Sequence, residues 1–294
     1  MPFFPPLPSP PCSCAFTLYP NMSRASSATY PSSVLIAVVA FFVAFAGFDG
    51  QARVGVHGLS LHKTHLIDHV SFPETGYVNY LFRSDEPVLK KNYSFEYSKL
   101  MDFFTLRASQ QNVSFNASDV FTTDICTLNN LTFNEAFDIE AENKFFDTNP
   151  QLGSVLNWML VGNLLDPNNL SEKERKSLIP DYVSKDPDQL VYRLEHVREW
   201  LTTDPSKARP SPTQGKNWVF FVHCEAGSDR TGEFSAGYVM RHMNYTLAQA
   251  LSWDAKIAKR PIEWLSRNAV LWYCWYLTYD RQFTHLNCTD LGPQ

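Results

Sequence analysis

Hydrophobic positions along this chain fall into a helical and a strand period. Leu190, Val191, Leu194, Val197, Trp200 and Leu201 recur at i, i+3, i+4 and i+7 spacing, which predicts an amphipathic helix with one buried stripe. Phe95, Leu100, Phe103, Phe104 and Leu106 predict a second helix over 94–107. Trp218–Val222 is instead an unbroken apolar run of strand length, followed by the loop Cys224-Glu-Ala-Gly-Ser-Asp-Arg230 and then a helix start. Tyr80-Leu-Phe82-Arg83 reads as a short strand entering a turn at Ser84–Pro87. The apolar stretch Ser154–Leu165 is broken by Asp166-Pro-Asn-Asn, and Thr202–Lys216, with its prolines, reads as a loop. Asp186 has the look of an N-cap, with Pro187 at the first helical position and Asp188 in the first turn. Ala269–Tyr279 is an aromatic helix of core character. The stretch from Gln110 to Pro150, rich in Asn and Asp, shows no pattern that settles its elements.

Composition limits the partners. With 294 residues and 44% hydrophobic content the chain can bury one good core, expected over 53–294. A net charge of −5 and the lack of a basic stripe argue against nucleic acid. Residues 1–33 are rich in Pro and Ser and will not pack, and Val34–Phe48 is fifteen residues of apolar side chains or Gly. That is short of the ~20 needed for a membrane span but suits a signal-peptide core. Ala44-Phe45-Ala46 offers a cleavage site and Met22 an alternative start. The expectation is a leader and signal peptide over 1–46 and a secreted or luminal product. If uncleaved, 34–48 would instead anchor the chain to a membrane. Seven Asn-x-Ser/Thr sequons downstream of the run, at Asn92, Asn112, Asn116, Asn130, Asn169, Asn244 and Asn287, agree with that route, with an eighth at Asn21.

The chemistry concentrates in the loop after the apolar strand. A loop that turns a buried strand into a helix N-terminus aims backbone amides and the positive end of the helix dipole at one spot, which suits a phosphate. Cys224 stands at its start, where those amides and Arg230 favour a thiolate, a nucleophile for phosphorus. Arg230 adds a planar fork for two phosphate oxygens, and Glu225, Ala226, Gly227, Ser228 and Asp229 supply the amides between. His223 precedes the cysteine, the Thr231 hydroxyl can bond the sulfur, and Gly232 allows close packing. His62, His65 and His69 would share a helical face at metal-ligand spacing, yet they read as a solvated face, and no metal or cofactor is expected.

His223-Cys-Glu-Ala-Gly-Ser-Asp-Arg-Thr-Gly232 resembles the signature of the cysteine-based protein tyrosine and dual-specificity phosphatase superfamily. The resemblance covers about residues 176–280. It implies an α/β fold with a central, mostly parallel sheet flanked by helices, and a catalytic core over about 150–285. It implies phosphomonoester hydrolysis through a phosphocysteine on Cys224, with an Asp in a loop ahead of the preceding helix as general acid. Asp181, after Pro180, fills that description; Asp186 and Asp229 are the alternatives. Tyr80–Pro87 is similar to the Phe-Arg-Ser and Pro lead-in of several atypical members. Arg260-Pro261 is similar to a step preceding a polar pair that braces the signature loop, which here points to Asn268, while Ser266 could equally be a helix cap.

Substrate is expected to be a phosphorylated protein, because Glu225 and Asp229 place acids beside the cradle and disfavour a highly anionic ligand. A phosphoinositide or inositol phosphate is the alternative, and a phosphate-binding pseudophosphatase a third reading. If Cys224 is the nucleophile, Cys126 and Cys288 are expected to pair, with Cys274 packed in its apolar helix.

Overall fold

The computed structural model describes residues 58–130, 132–207 and 215–292. The leader, the 34–48 run and the sequon at Asn21 lie outside the described residues. Five strands make the main sheet: β1 (His65–Phe72), β2 (Tyr77–Asp85), β5 (Val120–Cys126), β6 (Gly153–Asn157) and β7 (Asn217–Cys224). Their spatial order is β1-β2-β7-β5-β6, parallel throughout except for the edge strand β1. A two-stranded hairpin, β3 (Val88–Leu89) and β4 (Ser94–Phe95), stands apart.

Both faces of the sheet are apolar, which is why β7 shows no alternation in sequence. Tyr80, Phe82, Val219 and Phe221 point to one face, where helix α1 (Tyr97–Gln110) brings Leu100, Met101 and Phe104. Phe82 and Phe104 stack there with ring centres 4.0 Å apart. Helix α2 (Phe133–Thr148) lies beside it and packs Phe146 where a side chain at Gly153 would stand. Leu81, Phe220 and Val222 point the other way, into a larger core with helices α4 (Leu190–Leu201), α5 (Asp229–His242), α6 (Leu247–Ala258) and α7 (Trp264–Tyr279). Helix α3 (Glu172–Lys185) joins that core through Ile179 and Tyr182, the latter stacked on Trp272. Residues Val56–Gln294 group as one unit. Among the described residues no helix is long and apolar enough to cross a membrane.

The α/β architecture with a mostly parallel sheet is therefore the one expected, and α4 occupies the residues its periodicity indicated. Three local expectations are corrected. Asp186 is the C-cap of α3 rather than the N-cap of α4, which starts after Gln189 in a left-handed conformation (φ 48°). Asp188 is drawn inward instead, accepting the backbone N–H groups of Val161 and Gly162, both at 2.7 Å, because the loop after β6 has no strand partner to satisfy them. The disulfide joins Cys274 to Cys288, not Cys126 to Cys288. Cys126 ends a central strand, whereas the segment after α7 folds back so that Leu286 accepts from the N–H of Leu247 and Cys288 meets α7. His65 and His69 fall in β1 and His62 in a preceding 3-10 turn, so the shared helical face does not form.

Candidate active site

Strand β7 ends at Cys224 in the middle of the sheet, flanked by Asp85 on β2 and by Thr127 just after β5. Carboxyl ends of parallel strands are where open α/β sheets bind ligands. The residues between Cys224 and α5 turn their carbonyls outward, and each carbonyl is taken. Glu225 O accepts from the Glu86 N–H, Ala226 O from Lys63 Nζ and Ser228 Oγ, Gly227 O from Arg83 Nη2, and Ser228 O from the Gly232 N–H. The amides of Ser228 and Thr231 meet the Cys224 sulfur at the start of α5, an arrangement suited to an anion. Gly227 has φ +60°, and a Cβ there would lie 2.6 Å from the Asp85 backbone nitrogen. Gly227→Ala is therefore expected to force the loop off β2 and to weaken binding of inorganic phosphate or tungstate at least tenfold, read by competition against an aryl phosphate.

Cys224 is buried and its thiol sits below the ordinary value. Burial alone would push it up; Arg230, the Thr231 hydroxyl and the amides of Thr231 and Ser228 outweigh that by stabilising the thiolate. Arg230 is held in plane by Glu135, with Nη1 to Oε2 at 2.8 Å and Nη2 to Oε1 at 2.6 Å, and its pKa is raised accordingly. His223 faces away from the sulfur. Its pKa rises to about 10 although burial opposes this, because Asp124 (2.9 Å) and Glu142 (3.4 Å) surround it. Its carbonyl accepts both the N–H and the hydroxyl of Thr127, which locks the end of β7 to β5. Cys126, Glu142 and His223 offer donor atoms within 4.8 Å of one another, and with its imidazole protonated His223 pairs with Asp124 and Glu142.

Three acids of α2, Glu135, Asp138 and Glu142, share one face at i, i+3, i+7 spacing, and each meets a cation of the site: Arg230, Lys90 and His223. Lys90 also reaches Glu86 at 2.6 Å and Glu225 at 3.5 Å. On the other side Arg83, fully buried, bonds Asp254 of α6 and donates to the Gly227 carbonyl at 2.9 Å. Asp229 is gripped by both terminal nitrogens of Arg260, at 2.7 and 2.5 Å, and also accepts the Glu263 N–H.

Of the residues expected at the site, His223, Cys224, Glu225, Ala226, Gly227, Ser228, Asp229, Arg230 and Thr231 come together as one unit. Asp181 does not join them. The region expected to be a loop continues as α3 through Pro180, and Asp181 lies on its solvent side, 58% exposed and paired with Lys185 at 2.8 Å. The helix starts at the Ser171 and Glu174 capping box and runs through Pro180 to Lys185, so no loop opens there. Asn268 is buried and donates to the Asn163 carbonyl at 3.0 Å, so it braces the loop after β6, while Arg260 itself holds the cradle. Glu263, not Ser266, precedes α7 as its N-cap. Glu135, Arg83, Asp254, Lys63 and Lys90 are the participants that sequence reasoning missed. The expected core over 150–285 leaves out all of them except Asp254.

Burial also sets a pH dependence. Glu86 is raised to about 8 by burial and by Asp138, Asp186 to about 7 by burial and by Asp188, and buried Glu142 is raised too. His65 and His242, both lowered to about 4 chiefly by burial, add stability as pH rises to about 6.5, whereas these carboxyls hold extra protons in the folded protein above pH ~4.5 and remove stability as pH rises toward 8. His223 acts in the same direction, its contribution complete below its unfolded value near 6.5 and lost through about 10. Thermal unfolding followed at pH 5.5 and 8.5 should give the higher midpoint at 5.5.

No known family model and no curated protein matches this chain.

Proposed function

We propose that this protein is a cysteine-dependent phosphomonoester phosphatase with the architecture of the protein tyrosine and dual-specificity phosphatase superfamily. The observation that carries the reading is the union of a buried Cys224, met by the Ser228 and Thr231 amides, with an Arg230 guanidinium fixed by Glu135, all at the carboxyl end of the central parallel strand. In the first step Cys224 attacks phosphorus, the P–S bond forms and the P–O bond to the leaving group breaks, while Arg230 and the amides of Glu225–Arg230 hold the oxygens. In the second, water cleaves the P–S bond and returns the thiolate. The test is rapid acid quench of the full chain with a labelled aryl phosphate. Label on the Cys224 peptide is the expected result. Bound phosphate with neither label nor turnover would mean a binding module instead.

The leaving group needs a proton, and Asp181, exposed on α3 and paired with Lys185, is a weaker candidate for the acid than the carboxyls at the loop. Glu135 and Asp229 are each gripped by both terminal nitrogens of an arginine, Arg230 and Arg260, whereas Asp85 accepts from Ser60 and Ser84, and Glu86 and Glu225 share Lys90, so these three are the candidate donors among the carboxyls at the loop. One of their amide variants should lose about 10²–10⁴-fold in kcat on an alkyl phosphate but far less on 4-nitrophenyl phosphate, whose leaving group needs no acid. Asp181→Asn should leave both rates unchanged.

A phosphotyrosine-type substrate remains the first reading. An inositol phosphate or phosphoinositide gains support from one feature of the loop: its two acids are offset, Asp229 by Arg260 and Glu225 by Lys90, and Lys63 stands at the Ala226 carbonyl. Rates on phosphotyrosine peptides against a panel of inositol phosphates separate the two.

A further inference from the structure

Seventeen asparagines follow the apolar run, and seven of them are in sequons. All seven are exposed and none lies in an α-helix or a strand; Asn169 closes the 3-10 turn Pro167–Asn169. Of the remaining ten, three are exposed, Asn134, Asn143 and Asn157, and these are in α2, α2 and β6. Every exposed asparagine outside an α-helix or strand is thus in a sequon, while Asn129, Asn149, Asn163 and Asn168 are half-buried. Local geometry adds to this. The hydroxyls of Ser94, Ser118 and Thr289 donate to the side-chain carbonyls of Asn92, Asn116 and Asn287 at 2.9, 2.9 and 3.1 Å, so the sequon hydroxyl already contacts the amide it has to assist. Asn112, Asn244 and Asn287 have positive φ (57°, 59° and 47°), which turns the backbone sharply at the acceptor and presents it outward. The Cys274–Cys288 disulfide points to an oxidising compartment by a separate route.

Two of the seven stand beside the cradle. Asn92 follows Lys90, which reaches Glu225, by two residues. Asn130 follows Asn129, whose N–H donates to the same Glu135 that holds Arg230. Next to them is an exposed aromatic patch: Tyr93 (45% exposed) meets Phe137 with ring centres 5.5 Å apart, and Phe137 meets Phe133 (77% exposed) at 4.7 Å. Such contiguous aromatic rings offer an exposed apolar surface, and the apolar face of a pyranose is a chemically suitable cover for it.

We infer that the seven sequon asparagines carry N-linked oligosaccharides, and that those on Asn92 and Asn130 lie over the Tyr93, Phe133 and Phe137 patch and screen the cradle from folded proteins. The donor is an oligosaccharide linked through C1 to a lipid pyrophosphate. The Asn amide nitrogen forms the N–C1 bond, the C1–O bond breaks, the lipid pyrophosphate leaves, and the amide proton passes to a base of the transferase. The screening half rests on the phosphatase reading and narrows its substrates to small phosphomonoesters and unstructured phosphopeptides.

The test uses the full chain secreted from a eukaryotic host. Enzymatic glycan release in ¹⁸O water converts each occupied Asn to labelled Asp, so peptide mapping should mark all seven sequons and leave Asn134, Asn143 and Asn157 unmarked. Unmarked Asn92 and Asn130, or a chain retained with its leader and bare asparagines, overturns the inference. Ser94→Ala combined with Thr132→Ala removes both rim sequons and keeps the asparagines. That variant should dephosphorylate a folded phosphoprotein at least threefold faster, with the rate on a small aryl phosphate unchanged. An equal change on both substrates, or none, overturns the screening. Marked sequons in a protein inert toward every phosphate ester would reject the phosphatase reading and the screening with it, and leave the glycan assignment standing.

Discussion

Replacing Cys224 with serine should lower hydrolysis of a small aryl phosphate by about 10⁴-fold or more, as loss of an activated nucleophile does elsewhere. The change replaces the sulfur with a smaller oxygen, so the thermal midpoint should barely move. What disappears is acidity. The cradle stabilises a thiolate against the cost of burial through Arg230, Thr231 and the Ser228 and Thr231 amides. The same groups cannot ionise a hydroxyl whose proton is held many orders of magnitude more tightly. Binding of inorganic phosphate should survive, because Arg230 and the loop amides are untouched. Retained turnover in Cys224→Ser would reject the mechanism outright. Lost turnover together with lost phosphate binding would instead indicate a collapsed loop.

The second large effect is expected away from the sulfur, at the buried pair Arg83 and Asp254, both with no exposed side-chain surface. Arg83→Met leaves the Asp254 carboxylate buried without its partner, which typically costs about 3–5 kcal/mol. It also deprives the Gly227 carbonyl of its donor, and with it the orientation of a peptide whose N–H, that of Ser228, meets the Cys224 sulfur. Arg83→Met with Asp254→Leu should regain most of the stability, since an apolar pair of similar volume is tolerated where an orphaned charge is not. It should not regain phosphate affinity, because the Gly227 carbonyl stays unbraced. Urea unfolding combined with phosphate inhibition separates the two outcomes. Recovery of both in the double variant would show that Arg83 serves the fold alone.

How much was legible beforehand depended on where each signal was stored. Strand β7, the loop and the start of α5 are contiguous, so adjacency in sequence already placed Cys224, the loop amides and Arg230 together. Helix α4 and α7 were visible because their buried faces are apolar. Helix α2 was not, since the face it turns inward carries Glu135, Asp138 and Glu142, and an acidic stripe reads as a solvated one until its cations are known. Strand β5 was masked in the same way: its Thr122 and Asp124 are buried in the sheet beside the site. Asp181 failed for the opposite reason. A carboxylate after a proline looked like a loop residue, but the helix that starts at the Ser171 and Glu174 capping box runs through it.

By itself, then, the sequence determined that Cys224, the loop after it and Arg230 stand together, the mostly parallel α/β class and the positions of the sequons. These follow from contiguous residues and from periodic burial, both of which are local properties. Only the tertiary structure decided what holds the loop in shape. Arg83 and Asp254 are separated by 171 residues, Arg230 and Glu135 by 95, and Cys288 reaches Cys274 rather than Cys126. Charge pairing between distant segments leaves no periodicity in the chain, because each partner becomes worth burying only once the fold has brought the other beside it.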